Sequence, residues 1–559
     1  MILAHILLAA VTYLSPVHFD VSLAGNFGEP RPNHFHVGLD IKTQQVEGKA
    51  VYSIGDGFVC RVSKNVGGMG NAVYVRHPEG YTSVYAHLQR FAPAIEAVVR
   101  KWQYKNKTDE IDINLDATAC PVAKGQLIAL SGDSGASVGP HLHLEIHQND
   151  NWNIVDPLDF IPELLEDSVS PKAHAIMAYP ISGQGMVCGK NTPTRFDFEN
   201  EQIKDSVIVW GKVGFGLYAD DFMQGSSNRF GIRYTALYVD GKEVFSSNID
   251  YIPVECHRMV NLWGDYDYYA ENQQWFLKSF LMPGNTLPFI KTDASKGIID
   301  FNQQRTYQLT YVLSDRFGNK AKYSFEVFAQ PVEMKQQQPA ANDSVSFKPE
   351  EDNEARMEGM VIQVPKGGMM EDAWVKPSDK ARATKVSKGY MLARKSMPLF
   401  QKARLRIKVD AEVEDKDKLY VFAQRRGKKD ELAPDAMPRM YIPAKYADGW
   451  MECEVDDIGN TFAVDLDDSP PKLIPINEKR WEEEATLLVD VRDEQTGVAE
   501  FHAFIDGQFI LFNHVKKSSR MVCCLKDTPV TPNGMERKLQ LKARDHVGNL
   551  TVYDTTIHY

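Results

Sequence analysis

Between residues 17 and about 165, short apolar runs alternate with polar positions at period two and are punctuated by glycine: Ala50-Val-Tyr-Ser-Ile, Gly57-Phe-Val-Cys-Arg-Val, Asn71-Ala-Val-Tyr-Val-Arg and Leu127-Ile-Ala-Leu. Runs of this kind predict strands joined by tight turns, and hence an antiparallel β domain. One stretch breaks the pattern. After Pro93, the residues Ile95, Val98, Val99 and Trp102 recur at helical spacing, which predicts a helix. The polar run from Lys105 to Asp116 predicts a loop behind it. Residues 92–120 therefore read as an insertion in the domain, either walling a cleft or decorating the surface.

From residue 166 to about 330 the pattern is again all-β. Its opening, Asp167-Ser-Val-Ser-Pro-Lys172, recurs as Asp468-Ser-Pro-Pro-Lys472. Each copy is followed by an Asp-Gly pair inside a strand-like run, at Asp240-Gly241 and Asp506-Gly507, the strongest short-range hairpin signal. Each closes on D-x-x-G-N, at Asp315–Asn319 and Asp545–Asn549. Three landmarks in one order suggest two related β-sandwich modules, at 166–330 and 466–559, the second Ig-like. Residues 331–357, rich in Gln, Pro, Glu, Asp and Ser, read as a linker. In the further β-rich segment at 358–465, the stretches Ala393-Arg-Lys-Ser-Met-Pro and Leu405-Arg-Ile-Lys-Val predict strands with a charged outer face.

A length of 559 residues allows about three or four domains of ordinary size. A net charge of -12 gives no basic footprint, which argues against a nucleic-acid partner. The apolar run Ile2 to Val11 has the length of a secretory core, so residues 1–16 are expected to be a signal segment and the protein exported, although His5 interrupts the run and no Lys or Arg precedes it. No other segment is long enough to span a membrane. The seven cysteines form no C-x-x-C pair and read as structural or incidental.

Nine of the fifteen histidines fall before residue 148, which marks one segment as the chemical part. His36-Val-Gly-Leu-Asp40 and His141-Leu-His143-Leu-Glu145 supply two imidazoles and a carboxylate, a donor set that suits one zinc ion with a fourth position left open. Four extended residues would hold His36 and Asp40 too far apart to share an ion, so Gly38 is expected to mark a bend. In the second motif the two imidazoles share a strand face while Leu142 and Leu144 pack behind. That arrangement can place one histidine on the metal and its neighbour beside the metal-bound water. The glycine loop Gly132 to Pro140 can present backbone N–H groups to a substrate. Two histidines and a carboxylate also suit Fe(II), normally with H-x-D/E spacing in a cupin-like barrel, which the H-x-H strand does not match.

The order and spacing of these motifs, H-x-G-x-D at 36–40, H-x-x-G with Y-A-H-L at 77–88 and G-x-S-x-G-P-H-L-H-x-E ending at Glu145, resemble the lysostaphin-type (LytM-like) zinc endopeptidases of cell-wall metabolism. Gly48, Gly57, Gly70 and Lys124-Gly125-Gln126 fit as well, and the resemblance covers residues 21 to about 160. It implies a mainly β fold, an antiparallel peptidase domain with a groove of the duplicated-hybrid-motif type over 17–165, followed by the β-sandwich modules. It implies His36, Asp40 and His143 as metal ligands for one Zn2+, His87 and His141 as catalytic histidines, and hydrolysis of peptidoglycan cross-links through a metal-activated water. His77 and Tyr85 are expected as buried supports, Glu145 as a partner to an imidazole N–H, and His34 as a cleft residue. Val138 stands where the family commonly has threonine. The long β tail is similar to that of large exported peptidases of Bacteroidetes-like bacteria, which tilts the expected substrate toward a D-alanyl to diamino-acid bond. Periplasmic or outer-membrane-associated localisation is expected, with wall or protein contacts through the C-terminal modules. The alternative within the family is a non-catalytic scaffold or activator of cell-wall amidases, a class that usually lacks the metal ligands present here.

Overall fold

The computed structural model describes residues 11–334, 344–393, 396–425 and 438–559. The chain is mainly antiparallel β, as the period-two pattern predicts, and it divides into two compact units. The first comprises residues 1–97 and 112–338, the second residues 98–111 and 339–559.

In the first unit, the sheet that carries the histidine motifs runs in the order Leu23–Gly25, Leu39–Lys42, His141–Gln148, Tyr81–Ala86, Asn71–Arg76, Gly57–Lys64, Ile111–Asn114. Alternation decides which face each side chain takes. Leu142, Leu144 and Ile146 are fully buried on one side with Leu39, Ile41, Val75 and Tyr85. His141, His143, Glu145 and His147 take the other. A smaller sheet of Ala50–Tyr52, Leu127–Leu130 and Arg90–Phe91 completes the domain.

Packing begins inside the expected signal segment. Tyr13 is buried with its ring 4.9 Å from that of His77, and its amide donates to Phe160 O. Residues 1–10 lie outside the described residues.

The expected insertion differs from its reading. The helix forms at Pro93–Asn106, but Ile111–Asn114 is a strand at the sheet edge rather than loop, because Ile111 and Ile113 alternate with Asp112 and Asn114 and bury one face. Residues 98–111 group with the second unit. There the Tyr104 ring lies 5.8 Å from Phe509, and Arg100 donates to Asp527 O at 3.0 Å.

The module expected at 166–330 is built on the long pair Lys172–Val187 and Val207–Asp220, around Phe215, Phe301, Leu309 and Tyr311. Asp240 and Gly241 have φ of 49° and 82°, the left-handed pair that a two-residue hairpin turn needs, and Asp506 and Gly507 repeat it at 49° and 81°. Within the second unit, strands at Val345–Phe347 and Asn353–Met357 lie in the stretch expected as linker. Phe347 and Ala355 are core residues there, so a polar composition concealed a folded edge. Residues 335–343 of that linker, and 394–395 of the predicted strand from Ala393, lie outside the described residues. Two five-stranded sheets enclose Ile362, Leu405 and Val421, and two four-stranded sheets enclose Trp481, Leu487 and Leu539. All seven cysteines are unpaired thiols. No helix among the described residues is long and apolar enough to cross a membrane.

Candidate active site

Strand register assembles the site. Asp40 lies opposite His143 across the antiparallel pair, and Ala86 lies opposite His143 on the other side, so His87 leaves its strand beside them. His87 has a φ of 59°, a left-handed backbone rare outside glycine. Its amide donates to Met69 O and its Nδ1 to Ser134 O at 2.8 Å, which hold it there.

Three atoms converge. His36 Nε2 is 3.0 Å from Asp40 Oδ1 and 3.1 Å from His143 Nδ1, and the last two are 2.8 Å apart. The bend between His36 and Asp40 therefore exists, but Gly38 is not in the left-handed region. Its lack of a side chain is what matters: a Cβ there would meet Leu144 O at 2.5 Å and the His143 ring at 2.9 Å.

The far side of each group fixes its protonation. His36 Nδ1 donates to Asn26 O at 2.7 Å, leaving the Nε2 lone pair facing inward. His143 Nε2 donates to Glu145 Oε1 at 2.9 Å, leaving the Nδ1 lone pair facing inward. Arg31 Nη2 donates to Asp40 Oδ2 at 2.8 Å, leaving Oδ1 for the cluster. Two lone pairs and a carboxylate oxygen aimed at one point demand a positive charge between them. In the protein alone that charge is a proton on His143. Burial drives His36 down to about 4; at His143 burial acts downward too, but hydrogen bonds to Asp40 and Glu145 overcome it and raise the ring to about 9. Asp40 is held far below the usual carboxylate range against its own burial by His36, His141 and His143. A nitrogen, nitrogen and oxygen set, each member buried and fixed from behind, fits a zinc ion.

His87 and His141 stand beside this cluster, rings 4.8 Å apart. Each donates from Nδ1 to a backbone carbonyl, His87 to Ser134 and His141 to Gly139, both at 2.8 Å. Each therefore keeps a basic Nε2. Burial, with His143 and His141 nearby, pushes His87 down to about 4, so its imidazole is neutral at ordinary pH. His141 Nε2 lies 3.3 Å from Asp40 Oδ1.

The other expected residues divide. Glu145 is fully enclosed and joins His143 to His147, whose Nε2 it accepts at 2.6 Å. His77 and Tyr85 sit away from the cluster, in a chain from Asp56 O through His77 and Ser83 to the Tyr85 hydroxyl, which accepts the Ile54 amide at 2.8 Å. His34 is exposed on the cleft, its Nδ1 donating to Pro32 O. The cleft measures about 1460 Å³, and Val138 protrudes fully exposed at its rim. No residue of 92–120 lines it, so the insertion does not wall the cleft. Instead the following module supplies that wall through Asn228, Val254 and His257.

Sequence reasoning missed Asn26, Arg31 and His147. His147 continues the period-two face of His143 and Glu145 and was readable. Asn26 sits in irregular chain and Arg31 in the two-residue strand Pro30–Arg31, and Asn26 is itself clamped from 205 residues away, exchanging two hydrogen bonds with Gly231 at 2.8 and 2.9 Å.

Residues 34–104, which hold His36, Asp40 and His87, match the model of peptidase family M23. The chain carries a peptidase family M23 domain. Residues 344–467 match a Zu5-like domain. Over 131 residues the chain is 36% identical to an uncharacterized metalloprotease of Haemophilus influenzae, covering 23% of this chain and 21% of that protein. It is 33% identical over 114 residues to the DD-carboxypeptidase/endopeptidase Mpg of Neisseria meningitidis, covering 20% of each. It is 33% identical over 99 residues to the peptidoglycan DD-endopeptidase ShyA of Vibrio cholerae, covering 18% of this chain and 17% of that protein. The chain thus spans about a fifth of the length of the curated relatives it matches.

Proposed function

We propose that the protein is a zinc metalloendopeptidase that hydrolyses peptide cross-links of bacterial peptidoglycan, acting outside the cytoplasm. The observation that carries this reading is the convergence of His36 Nε2, His143 Nδ1 and Asp40 Oδ1 on one point, each anchored from behind. The names of the relatives supply the substrate class.

In this reading His36, Asp40 and His143 hold one zinc ion, which supplies Lewis acidity toward a carbonyl and lowers the pKa of water. Asn26 and Glu145 keep both imidazoles in the liganding tautomer, and Arg31 keeps Asp40 turned inward. Nε2 of His87 accepts the proton of the attacking water, since that atom is basic while Nδ1 is committed to Ser134. His87 then passes that proton to the leaving amine, while Nε2 of His141 accepts from the same water and orients it. Asn228, Val254 and His257 contact the peptide on the far wall, so the second module takes part in substrate fit.

The test pairs zinc content with release of cross-linked muropeptides from purified sacculi. His143→Ala is expected to lose both zinc and cleavage, whereas His87→Ala keeps zinc and loses cleavage by about 10²–10⁴-fold. Accumulation of monomers from D-alanyl to diamino-acid dimers would identify the bond. A zinc-loaded wild-type chain that cleaves no wall type would overturn the proposal in favour of a non-catalytic activator.

A further inference from the structure

Away from the histidine cluster, the module that follows the M23 domain brings three aspartates together. Asp167 lies five residues before the strand Lys172–Val187, Asp221 follows the strand Val207–Asp220, and Asp315 begins the D-x-x-G-N turn. Lys172 is paired with Asp220 in the ladder, which sets the first two side by side. One carboxylate oxygen from each lies within 4.8 Å of the others.

The three are not equally satisfied. Asp315 is bonded at both oxygens by Asn319, at 2.8 and 2.7 Å, and Asp167 Oδ1 accepts from the Val169 amide. Asp221 is 2% exposed, yet its Oδ1 is buried with no hydrogen-bond partner, and Asp167 Oδ2 is in the same state. Among the described residues no basic side chain forms an ion pair with any of the three. Two orphan carboxylate oxygens in an acidic, buried cluster are costly unless a cation sits between them.

The C-terminal module provides an internal comparison. Asp467, Asp493 and Asp545 occupy the same places: Asp493 follows the strand Thr486–Arg492, Lys472 pairs with Arg492, and Asn549 bonds both oxygens of Asp545. In this copy the orphans are gone. The Thr496 hydroxyl donates to Asp467 Oδ2 at 2.7 Å, and the Gln495 and Gly497 amides donate to Asp493 Oδ1. One scaffold is closed by protein donors in the second module and left open in the first.

We propose that Asp167, Asp221 and Asp315 form a binding site for a hard divalent cation, calcium in preference to magnesium or zinc. All donors are oxygens, which excludes the nitrogen and sulfur preference of zinc. Calcium accepts a cage of protein oxygens in flexible geometry, whereas magnesium keeps several of its waters and demands a near-ideal octahedron, so three convergent carboxylates favour calcium. Burial, with Asp315 and Asp167 nearby, raises the Asp221 carboxyl to about 8, the cost that an ion would relieve. The ion would tie the base of the segment 221–231. Asp221 bridges to Phe230 there, and the neighbouring Gly231 clamps Asn26.

The test is calorimetric titration of CaCl2 into the full-length, zinc-loaded chain in chelator-treated buffer, with thermal melts alongside. One site is expected, with a dissociation constant of about 10⁻⁵ to 10⁻³ M and a rise in melting temperature of about 5 °C at saturation. Asp221→Asn removes both the heat and the shift, while Asp493→Asn retains them. Asp221→Asn should itself melt no lower than wild type without calcium, since it replaces a buried carboxyl that is costly to ionise; if it fails to fold, Asp167→Asn takes its place. Absence of calcium heat in the wild type, or its persistence in the Asp221 or Asp167 variant, overturns the proposal. Since zinc content is measured separately, failure here leaves the peptidase reading intact.

Discussion

Gly38→Ala tests whether the metal cluster depends on how closely one backbone segment approaches another. The new Cβ would lie 2.5 Å from Leu144 O and 2.9 Å from Cε1 and Nε2 of His143. A non-bonded carbon contact sits near 3.5 Å, so the overlap with the ring is about 0.6 Å and that with the carbonyl larger still. The carbonyl cannot yield, because Leu144 is paired with Leu39 on one side and with Tyr85 on the other. The ring has to move. It is held by Glu145 at 2.9 Å on one nitrogen and faces Asp40 at 2.8 Å on the other, and zinc ligation tolerates about 0.2 Å. A displacement of about 0.6 Å is therefore expected to weaken zinc binding by about 10–100-fold, the range seen when supporting groups around a metal are disturbed. The overpacking itself should cost about 1–3 kcal/mol of stability. Competition with a chromophoric chelator measures the first and denaturant unfolding the second. If zinc affinity stays at the wild-type value while stability falls, the close approach does not govern the ligand's position and the reasoning is wrong.

Glu145→Gln keeps an acceptor for His143 Nε2 but removes the charge, so zinc affinity should drop by about 10-fold or more, read by the same competition; an unchanged affinity would show that shape alone suffices. Tyr85→Phe strands the buried Ile54 amide and should cost about 1–3 kcal/mol of stability, with zinc content and turnover per folded chain unchanged. Lost turnover at full folding would instead make the hydroxyl part of the chemistry. In calcium-free buffer, stability should fall as pH rises from about 4 to about 8, because native Asp221, raised to about 8, keeps a proton that the unfolded chain releases near 4. Melts at about pH 5 and about pH 8.5 should show a smaller drop for Asp221→Asn than for wild type, and equal drops would refute the assignment.

The cluster was legible because its members are set by local spacing and strand alternation. His143 and Glu145 share a face at period two, and His36 and Asp40 are four residues apart around a glycine that can only be a glycine. The supports were illegible where they depend on long-range packing: nothing near Asn26 announces that Gly231 will hold it. The strand at 111–114 was hidden in a polar run, since half of its residues face solvent, and the edge strands at 345–357 were hidden by charged neighbours. The two repeats show both limits together. Their D-x-x-G-N turns and Asp-Gly hairpins could be read from the chain, but matching Asp167 to Asp468 set the first landmark one residue out of step. The ladders align Asp167 with Asp467, five residues before Lys172 and Lys472 respectively. Only the third strand-end aspartate in each, Asp221 and Asp493, explains why the other two recur.

Each metal-facing group has a second anchor: His36 on Asn26, His143 on Glu145, Asp40 on Arg31. The cage is thus a socket cut in advance, unlike small zinc domains in which the ion is the nucleus of folding. Manufacture and arming become separable events. On the proposed function, the protein would be made and moved in an inert form and would receive its ion where cutting is wanted, with no refolding step between.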